Sequence, residues 1–207
     1  MTISLCIITK NEQQSLESFL NHHKDLVDEI IIVDTGSNDD TINIAKKFTD
    51  NIFNLEWSNN FAEARNFSIS KATKEWILWL DPDETIDKNN FNEIKEIAEN
   101  KAFLGFRFIQ ETYYKNKIVM TRGICKLFQN KKNIKFIYPV HETVRNSIKS
   151  LNGRIGKTGI TIIHKPILNK EKSLYYLELL ENKKQKFPDS TAEKEIETEK
   201  NLLNELQ

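Results

Sequence analysis

The first hundred residues alternate short apolar runs with segments of helical periodicity, and this alternation restricts the fold more than any other feature. Apolar runs occupy residues 3–9, 29–34, 52–55 and 76–80, and each is typical of a buried strand. The segments between them repeat apolar residues at intervals of three and four, as amphipathic helices do. Strands that alternate with helices predict a mostly parallel sheet covered on both faces.

Polar residues follow three of these four strands. Thr9-Lys10-Asn11 ends the first strand, Asp34-Thr35-Gly36-Ser37 the second and Asp81-Pro82-Asp83 the fourth. Parallel strands bring their carboxyl ends to one edge of a sheet, and ligands of such sheets bind at that edge. The sequence therefore predicts a binding site where these three segments converge.

Asp81-Pro82-Asp83 is the candidate metal site. As an isolated triplet it carries little information, because the chain has ten aspartates and such a spacing arises readily by chance. Its position after a hydrophobic strand, with Glu84 as a third acid, favours a function. Hard carboxylate oxygens suit Mg²⁺ or Mn²⁺, which takes further ligands from a diphosphate. The alternative is a helix N-terminus with solvated acids.

Two further motifs allow two interpretations each. Asp34 could accept a hydrogen bond from a base or a ribose hydroxyl, or it could belong to an ordinary turn in which Gly36 permits the bend and Ser37 or Asn38 caps a helix. The turn is neither a Walker loop nor a dinucleotide fingerprint, which weakens the case for an ATPase or a dinucleotide-binding protein. Arg65, in a predicted helix at 61–72, could reach a phosphate or a base, or could lie on the surface.

The pattern changes after a helix predicted at 88–100. Strands are predicted at 103–112, 118–120, 124–129, 135–138 and 159–164, and charged helices at 171–186 and 191–206, separated at Phe187-Pro188-Asp189.

His141 and Glu142 follow a proline turn and form a pair capable of acid–base chemistry. His164 is either a strand-end histidine or a third metal ligand. His22 and His23, at a helix end, are expected in solvent.

The composition excludes several classes of protein. Lys+Arg and Asp+Glu both number 30, so no overall basic field indicates nucleic-acid binding. The two cysteines, Cys6 and Cys125, form no disulfide framework or zinc cluster, and Cys6 is expected to be buried. We see no signal peptide and no apolar run near the roughly 20 residues that cross a bilayer. These features indicate a cytoplasmic protein.

Any contact with the inner face of the membrane would be peripheral. The lysine-rich residues 115–135 could meet anionic lipid headgroups or a phosphorylated saccharide, although a solvated strand face explains them better.

Four ordered blocks resemble family 2 glycosyltransferases of the GT-A fold. They are ISLCIITKNE at 3–12, EIIIVDTGSNDDT at 29–41, FAEARN at 61–66 and WILWLDPDE at 76–84. Later blocks at 125–128, 140–142 and 163–164 are similar to a bacterial subgroup with lipopolysaccharide-core glucosyltransferases and bacteriocin S-glycosyltransferases. The resemblance implies an α/β, Rossmann-like GT-A domain over residues 1–168. A C-terminal helical hairpin or extension over 169–207 would follow.

The resemblance also implies a reaction and its residues. The protein would move a sugar from a nucleotide-sugar donor, by default a UDP-sugar, to a saccharide, lipid-linked or peptide acceptor, with inversion. Glu142 is the candidate base, and Thr35 departs from the family because many relatives have a second acid there. The nucleotide pocket would be lined by Thr9, Asn11, Glu12, Asp34, Arg65 and Asp81, and Mn²⁺ or Mg²⁺ would be held by Asp81, Asp83 and His164.

Two other functions share parts of this pattern. A sugar-phosphate nucleotidyltransferase uses a similar sheet and acidic pair, but it usually needs a glycine-rich basic loop after the first strand, and Thr9-Lys10-Asn11-Glu12 is not one. A catalytically silent module that binds nucleotide sugars is the third interpretation. The sequence indicates neither the sugar nor the oligomeric state.

Overall fold

The first half of the molecule is the expected alternation of strands and helices. The computed structural model describes residues 1–188 and 191–205, so the predicted positions Asp189, Leu206 and Gln207 lie outside the described residues. The first seven elements are β1 (Ile3–Thr9), α1 (Leu16–His23), β2 (Glu29–Asp34), α2 (Thr41–Ala45), β3 (Ile52–Asn54), α3 (Phe61–Lys71) and β4 (Trp76–Trp79).

The four strands of this half are parallel. β1 lies between β2 and β4, with Thr9 opposite Asp34 and Cys6 opposite Trp79. β3 continues the sheet beyond β2. The ends of β1, β2 and β4 therefore open onto the same edge, as their sequence predicts.

The second half adds four strands and the remaining helices. A 3₁₀ turn at Lys88–Asn90 leads into the fourth α-helix. The elements are β5 (Glu84–Ile86), α4 (Phe91–Glu99), β6 (Gly105–Tyr114), β7 (Lys117–Gln129), α5 (Arg145–Ser150), β8 (Ile155–His164), α6 (Lys170–Lys186) and α7 (Ala192–Glu205).

The sheet has the order β3-β2-β1-β4-β7-β6-β8-β5, and its second half curls strongly. In a flat sheet β4 and β5 would lie about 19 Å apart across the three strands between them. The chain joins them through residues 80–83 only, and this connection contains a turn in which Asp81 O accepts from Glu84 N at 2.9 Å. The curl brings the side chain of Glu84 to Lys126 on β7, 2.6 Å away.

Two strand predictions were wrong. The separate strands predicted at 118–120 and 124–129 are one strand, β7, because it pairs along its length with β6. The strand predicted at 135–138 is absent apart from one bridge between Ile137 and Thr143. Tyr138 has φ of 77°, which no strand residue adopts, and Pro139 lacks the amide hydrogen of a ladder.

Two buried clusters cover the faces of the sheet. One holds Leu5, Leu20 and Phe108, and the other holds Cys6, Trp79 and Phe136. Burial raises the pKa of both the Cys6 and the Cys125 thiol to about 12, so each behaves as a small apolar residue. No helix in residues 1–188 and 191–205 is long and apolar enough to cross a bilayer.

His23 is buried, and the expectation of a solvated side chain was wrong. Its ring is fully enclosed between α1 and α4 and stacks against Phe91. Nδ1 lies 2.9 Å from Phe19 O, and Nε2 accepts from Ile86 N at 3.3 Å. Burial lowers the pKa of His23 to about 4, because the enclosed ring is more stable uncharged.

Candidate active site

The predicted strand ends open into one cleft of about 1040 Å³. Thr9 from β1, Asp81 and Asp83 from the loop after β4, and His164 at the end of β8 all line it. Glu142 lines the same cleft from the loop before α5. Residues far apart in the chain therefore converge where the parallel strands end.

Arg65 joins two of the predicted acids. Its Nη2 donates to both carboxylate oxygens of Asp81 at 3.0 Å, and its Nε donates to Glu142 Oε1. The guanidinium lies over the Trp79 ring, 4.2 Å from its centre, and the side chain is only 6% exposed. Arg65 is thus not a surface arginine, and it binds carboxylates in this structure.

The charges of this group are mutually stabilising. Burial disfavours the Arg65 cation, but Asp81 and Glu142 outweigh that effect and raise the pKa of Arg65. Enclosure likewise favours the neutral form of Asp81, but the Arg65 and Lys126 cations hold the pKa of Asp81 below its usual range. Asp81 is therefore a carboxylate at neutral pH.

Asp83 has unused ligating capacity. Its Oδ1 is buried and has no hydrogen-bond partner among the described residues. Its Oδ2 lies 3.5 Å from Nε2 of His164, whose Nδ1 is 3.0 Å from Thr112 Oγ1. A buried, unpaired carboxylate oxygen is costly unless a cation or a donor completes it.

The carboxylates of Asp81 and Asp83 fit a divalent metal ion that takes its other ligands from a bound phosphate group and water. In the described part of the chain no three His, Cys, Asp or Glu side chains converge to enclose an ion. Mg²⁺ and Mn²⁺ commonly take one or two protein carboxylates and complete their shell with phosphate oxygens and water. Asp81 and Asp83 match that requirement, whereas a closed structural zinc site needs four protein ligands.

A buried ion pair stabilises the loop at residues 80–83, which carries Asp81 and Asp83 and is called the acidic loop. Lys126 Nζ donates to both oxygens of Glu84 at 2.7 and 2.6 Å, and both side chains are at most 1% exposed. Gln110 Nε2 also donates to Glu84. Glu84 Oε2 in turn accepts from the backbone N–H of Asp81 at 2.9 Å, which fixes the loop that carries the two aspartates. We did not predict this role of Glu84 and Lys126.

Thr9 and Glu12 line the cleft on the β1 side. Thr9 Oγ1 lies 3.4 Å from Asp34 Oδ1, and Glu12 N donates to Thr41 Oγ1 at 2.7 Å. Burial is the main cause that raises the pKa of Glu12, and the nearby carboxylates of Asp83 and Asp81 raise it further. Glu12 thus faces the acidic pair.

Asn11 and Asp34 do not line the main cleft. Asp34 accepts hydrogen bonds from Gly36 N and Ser37 N at 3.0 and 2.8 Å, so it holds the turn that follows β2. Asn11, with φ of 57°, links to the same turn by accepting from Asn38 N at 2.9 Å. In this structure both residues shape the loops at the rim, and Gly36, with φ of 105°, permits the bend as the turn interpretation predicts. The predicted helix cap was wrong, because the N-cap of α2 is Asp40.

The predicted pair of His141 and Glu142 is not formed. His141 has φ of 50°, and its Nδ1 lies 3.3 Å from Glu195 Oε2 on α7, whereas Glu142 faces Arg65. The left-handed backbone at His141 turns the two adjacent side chains towards different partners. Of the two residues, only Glu142 contacts the Arg65 guanidinium that also binds Asp81.

The C-terminal helices form one wall of the cleft. Tyr176 on α6 stacks on Phe61, with ring centres 5.9 Å apart, and lies near enough to Glu142 that burial and this carboxylate raise the pKa of Tyr176. Tyr175 OH accepts from Trp57 Nε1 at 2.7 Å. The aromatic residues gave no signal in the sequence, because helical spacing of tyrosines is equally typical of a packed core.

Comparisons with known proteins agree with this geometry. Residues 4–164 match the family described as Glycosyl transferase family 2. A TPR repeat-containing protein of Synechococcus elongatus is 33% identical over 166 residues, which are 80% of this chain and 41% of that protein. The SPbeta prophage-derived glycosyltransferase SunS of Bacillus subtilis is 34% identical over 153 residues, 72% of this chain and 36% of that protein. The chain thus spans less than half the length of each relative.

Solved structures share the fold. TarS 1–349 of S. aureus in complex with UDP has a TM-score of 0.64 at 16% identity, over 100% of this chain and 70% of that chain. Glucosyl-3-phosphoglycerate synthase of Mycobacterium tuberculosis, with Mn²⁺, UDP-glucose and phosphoglyceric acid, has a TM-score of 0.61 at 14% identity, over 86% of this chain and 77% of that chain. These likenesses confirm the predicted GT-A fold.

Proposed function

The chain belongs to glycosyl transferase family 2, and we propose that it transfers a sugar from a UDP-sugar to an acceptor in a metal-dependent, inverting reaction. The observation that carries the proposal is the buried Oδ1 of Asp83, which has no hydrogen-bond partner in the described part of the chain and lies beside Asp81 where the strand ends converge. The crystallised complexes of TarS with UDP-GlcNAc and of glucosyl-3-phosphoglycerate synthase with Mn²⁺ and UDP-glucose support the same donor class and metal.

The donor would lie along the cleft from β1 to the acidic loop. In the proposed arrangement Thr9 and Glu12 contact the nucleoside, with Asn11 and Asp34 shaping the rim loops beside it. Asp81 and Asp83 hold Mn²⁺ or Mg²⁺ with the diphosphate, and His164 contributes a nitrogen next to Asp83. Arg65 keeps Asp81 ionised, which a cation ligand requires.

The proposed chemistry needs one proton transfer. Glu142 takes the proton of the acceptor nucleophile while that nucleophile bonds to the anomeric carbon from the face opposite the diphosphate. The bond from the anomeric carbon to the diphosphate oxygen breaks, and its electron pair leaves with UDP. When bound, the metal would neutralise the charge that builds on the departing diphosphate. Oε1 of Glu142 is held by Arg65, which leaves Oε2 as the proton-accepting atom.

Turnover with a panel of UDP-sugars tests the proposal. UDP release in the presence of Mn²⁺ should require Asp83, and Asp83→Asn should lower it at least about 100-fold. Asp50→Asn, which changes an exposed aspartate outside the cleft, is the matched control. Pyrophosphate formation from UTP and a sugar phosphate would instead favour a nucleotidyltransferase, and UDP binding without turnover of any donor would favour a silent module.

Glu142→Gln separates the base from the binding residues. We expect this variant to bind UDP as tightly as the unchanged protein and to lose about 100-fold or more in turnover. Unchanged turnover would assign the base to another residue.

A further inference from the structure

Three arginines that line the cleft have no acidic partner among the described residues. Arg107 lies on β6, Arg122 on β7 and Arg145 at the start of α5. Within residues 1–188 and 191–205 none of their guanidinium groups forms an ion pair. Arg122 Nε donates only to the neutral amide oxygen of Gln110, at 2.7 Å. Arg65, in the same cleft, has two carboxylate partners.

Arg107 is the most informative of the three. It is half-buried, and its side chain makes no hydrogen bond with the described residues. Its guanidinium lies across the backbone of β7 at Gly123, where a Cβ would come within 2.1 Å of Arg107 Nη2. An arginine held against backbone in a partly desolvated position, with no anion beside it, is unfavourable unless a ligand supplies the anion.

The sheet order indicates which part of a substrate these arginines would meet. β1 and β2 lie on one side of β4, whereas β7 and β6 lie on the other. If the nucleoside contacts the β1 side and the diphosphate lies at the end of β4, the transferred sugar and the acceptor extend towards β7 and β6. Arg145 is exposed and lines the same cleft as Glu142, the proposed base.

From this placement we propose that the acceptor is anionic, and that Arg107, Arg122 and Arg145 bind its phosphate or carboxylate group. Guanidinium groups match the planar, bidentate geometry of both anions. The inference rests on the proposed function, because the orientation of the donor along the cleft is taken from that proposal. It narrows the acceptor to molecules that carry a negative charge near the nucleophile.

Calorimetry on protein saturated with UDP and Mn²⁺ tests this inference, with glucose 6-phosphate and glucose as a matched pair of probes. Glucose 6-phosphate should bind at least about tenfold more tightly than glucose. Arg107→Gln and Arg122→Gln should each remove most of that difference without changing the affinity for UDP. Gly123→Ala keeps every arginine but displaces the Arg107 guanidinium, and should weaken glucose 6-phosphate binding as well. Arg154→Gln, outside the cleft, should change neither affinity.

Several results would overturn the inference. Equal binding of the two probes would do so, as would arginine variants that lose affinity for UDP, since the arginines would then bind the donor diphosphate. A preference for UDP-glucuronic acid over UDP-glucose that disappears in Arg107→Gln would also overturn it, because the arginine would then bind a negative charge on the donor sugar and not on the acceptor. Absence of UDP binding in the unchanged protein would refute the proposed function itself, together with the inference.

Discussion

Arg65 connects two carboxylates that have different tasks in the proposed reaction. Asp81 is to hold a metal and Glu142 is to take a proton, yet both contact the same buried guanidinium. The Arg65 cation holds the pKa of Asp81 below its usual range, and the guanidinium, which lies over the Trp79 ring, bridges the two carboxylates. Positioning and charge compensation are therefore the main roles of this residue in the structure.

Removal of Arg65 should be strongly destabilising. Arg65→Met leaves Asp81 and Glu142 without their cation, and we expect a loss of about 3 kcal/mol in the free energy of unfolding by urea. The double variant Arg65→Met/Glu142→Gln should recover part of this loss, because one of the unpaired acids becomes neutral. A loss within 0.5 kcal/mol of zero, about what a surface substitution gives, would contradict the buried bridge.

His23 should make stability depend on pH. Its pKa is about 4 in the folded protein and near 6.5 when solvated. Since the folded pKa is depressed, the stabilisation is complete above pH 6.5 and is lost as the pH falls towards 4, by about 3 kcal/mol over the whole window. His23→Gln, which does not titrate, should flatten the change in Tm between pH 6.5 and 4.5. An unaltered pH slope, equal to that of the exposed control Asn21→Gln, would contradict this account.

Only some of the site residues could be predicted from the sequence. Asp81 and Asp83 stand directly after an apolar strand, and strand ends of a parallel sheet meet at one edge. Lys126, in contrast, lies inside an apolar strand segment and pairs with Glu84, 42 positions away. Hydrophobic periodicity indicates which residues are buried, but it does not identify the distant residue whose opposite charge stabilises a buried charge. Arg107, Arg122 and Arg145 were missed because a strand or helix pattern does not show which distant elements line one cleft.

At the scale of elements, the acidic loop depends on the curl that brings β5 back to β7. Glu84 begins β5, and its carboxylate joins Lys126 of β7 to the backbone of Asp81. β5 was not predicted, because three residues are too few to show alternation. The parallel half of the sheet was predicted, since its apolar runs alternate with helical segments along the first hundred residues.

Neutralising one member of the buried ion pair should lower the free energy of unfolding more than replacing both members. Glu84→Gln leaves the Lys126 ammonium buried without its counter-ion, and we expect a loss of about 3–5 kcal/mol in unfolding free energy. The double variant Glu84→Gln/Lys126→Met should be clearly more stable than Glu84→Gln alone. Additive destabilisation of the two changes, measured in a double-mutant cycle, would mean that the side chains do not interact.

At the scale of the whole molecule, the cleft is built by both the GT-A domain and the C-terminal helices. Val140 of the loop before α5 packs with Leu179, Leu180 and Ile196 of α6 and α7. Glu195 accepts from Lys183 at 2.6 Å and faces His141, and although burial opposes it, these contacts lower the pKa of Glu195 to about 2. The helices therefore hold the backbone that presents Glu142. Helical periodicity predicted α6 and α7 but not this attachment.

The central claim is that Asp81 and Asp83 bind a divalent metal together with the diphosphate of UDP. Its most direct test is a calorimetric titration of UDP with Mn²⁺ and with EDTA. The account predicts that Mn²⁺ tightens UDP binding at least about tenfold, and that Asp83→Asn abolishes this dependence while the protein remains folded. UDP affinity that is the same with and without Mn²⁺, or that is unaffected by Asp83→Asn, would contradict the claim.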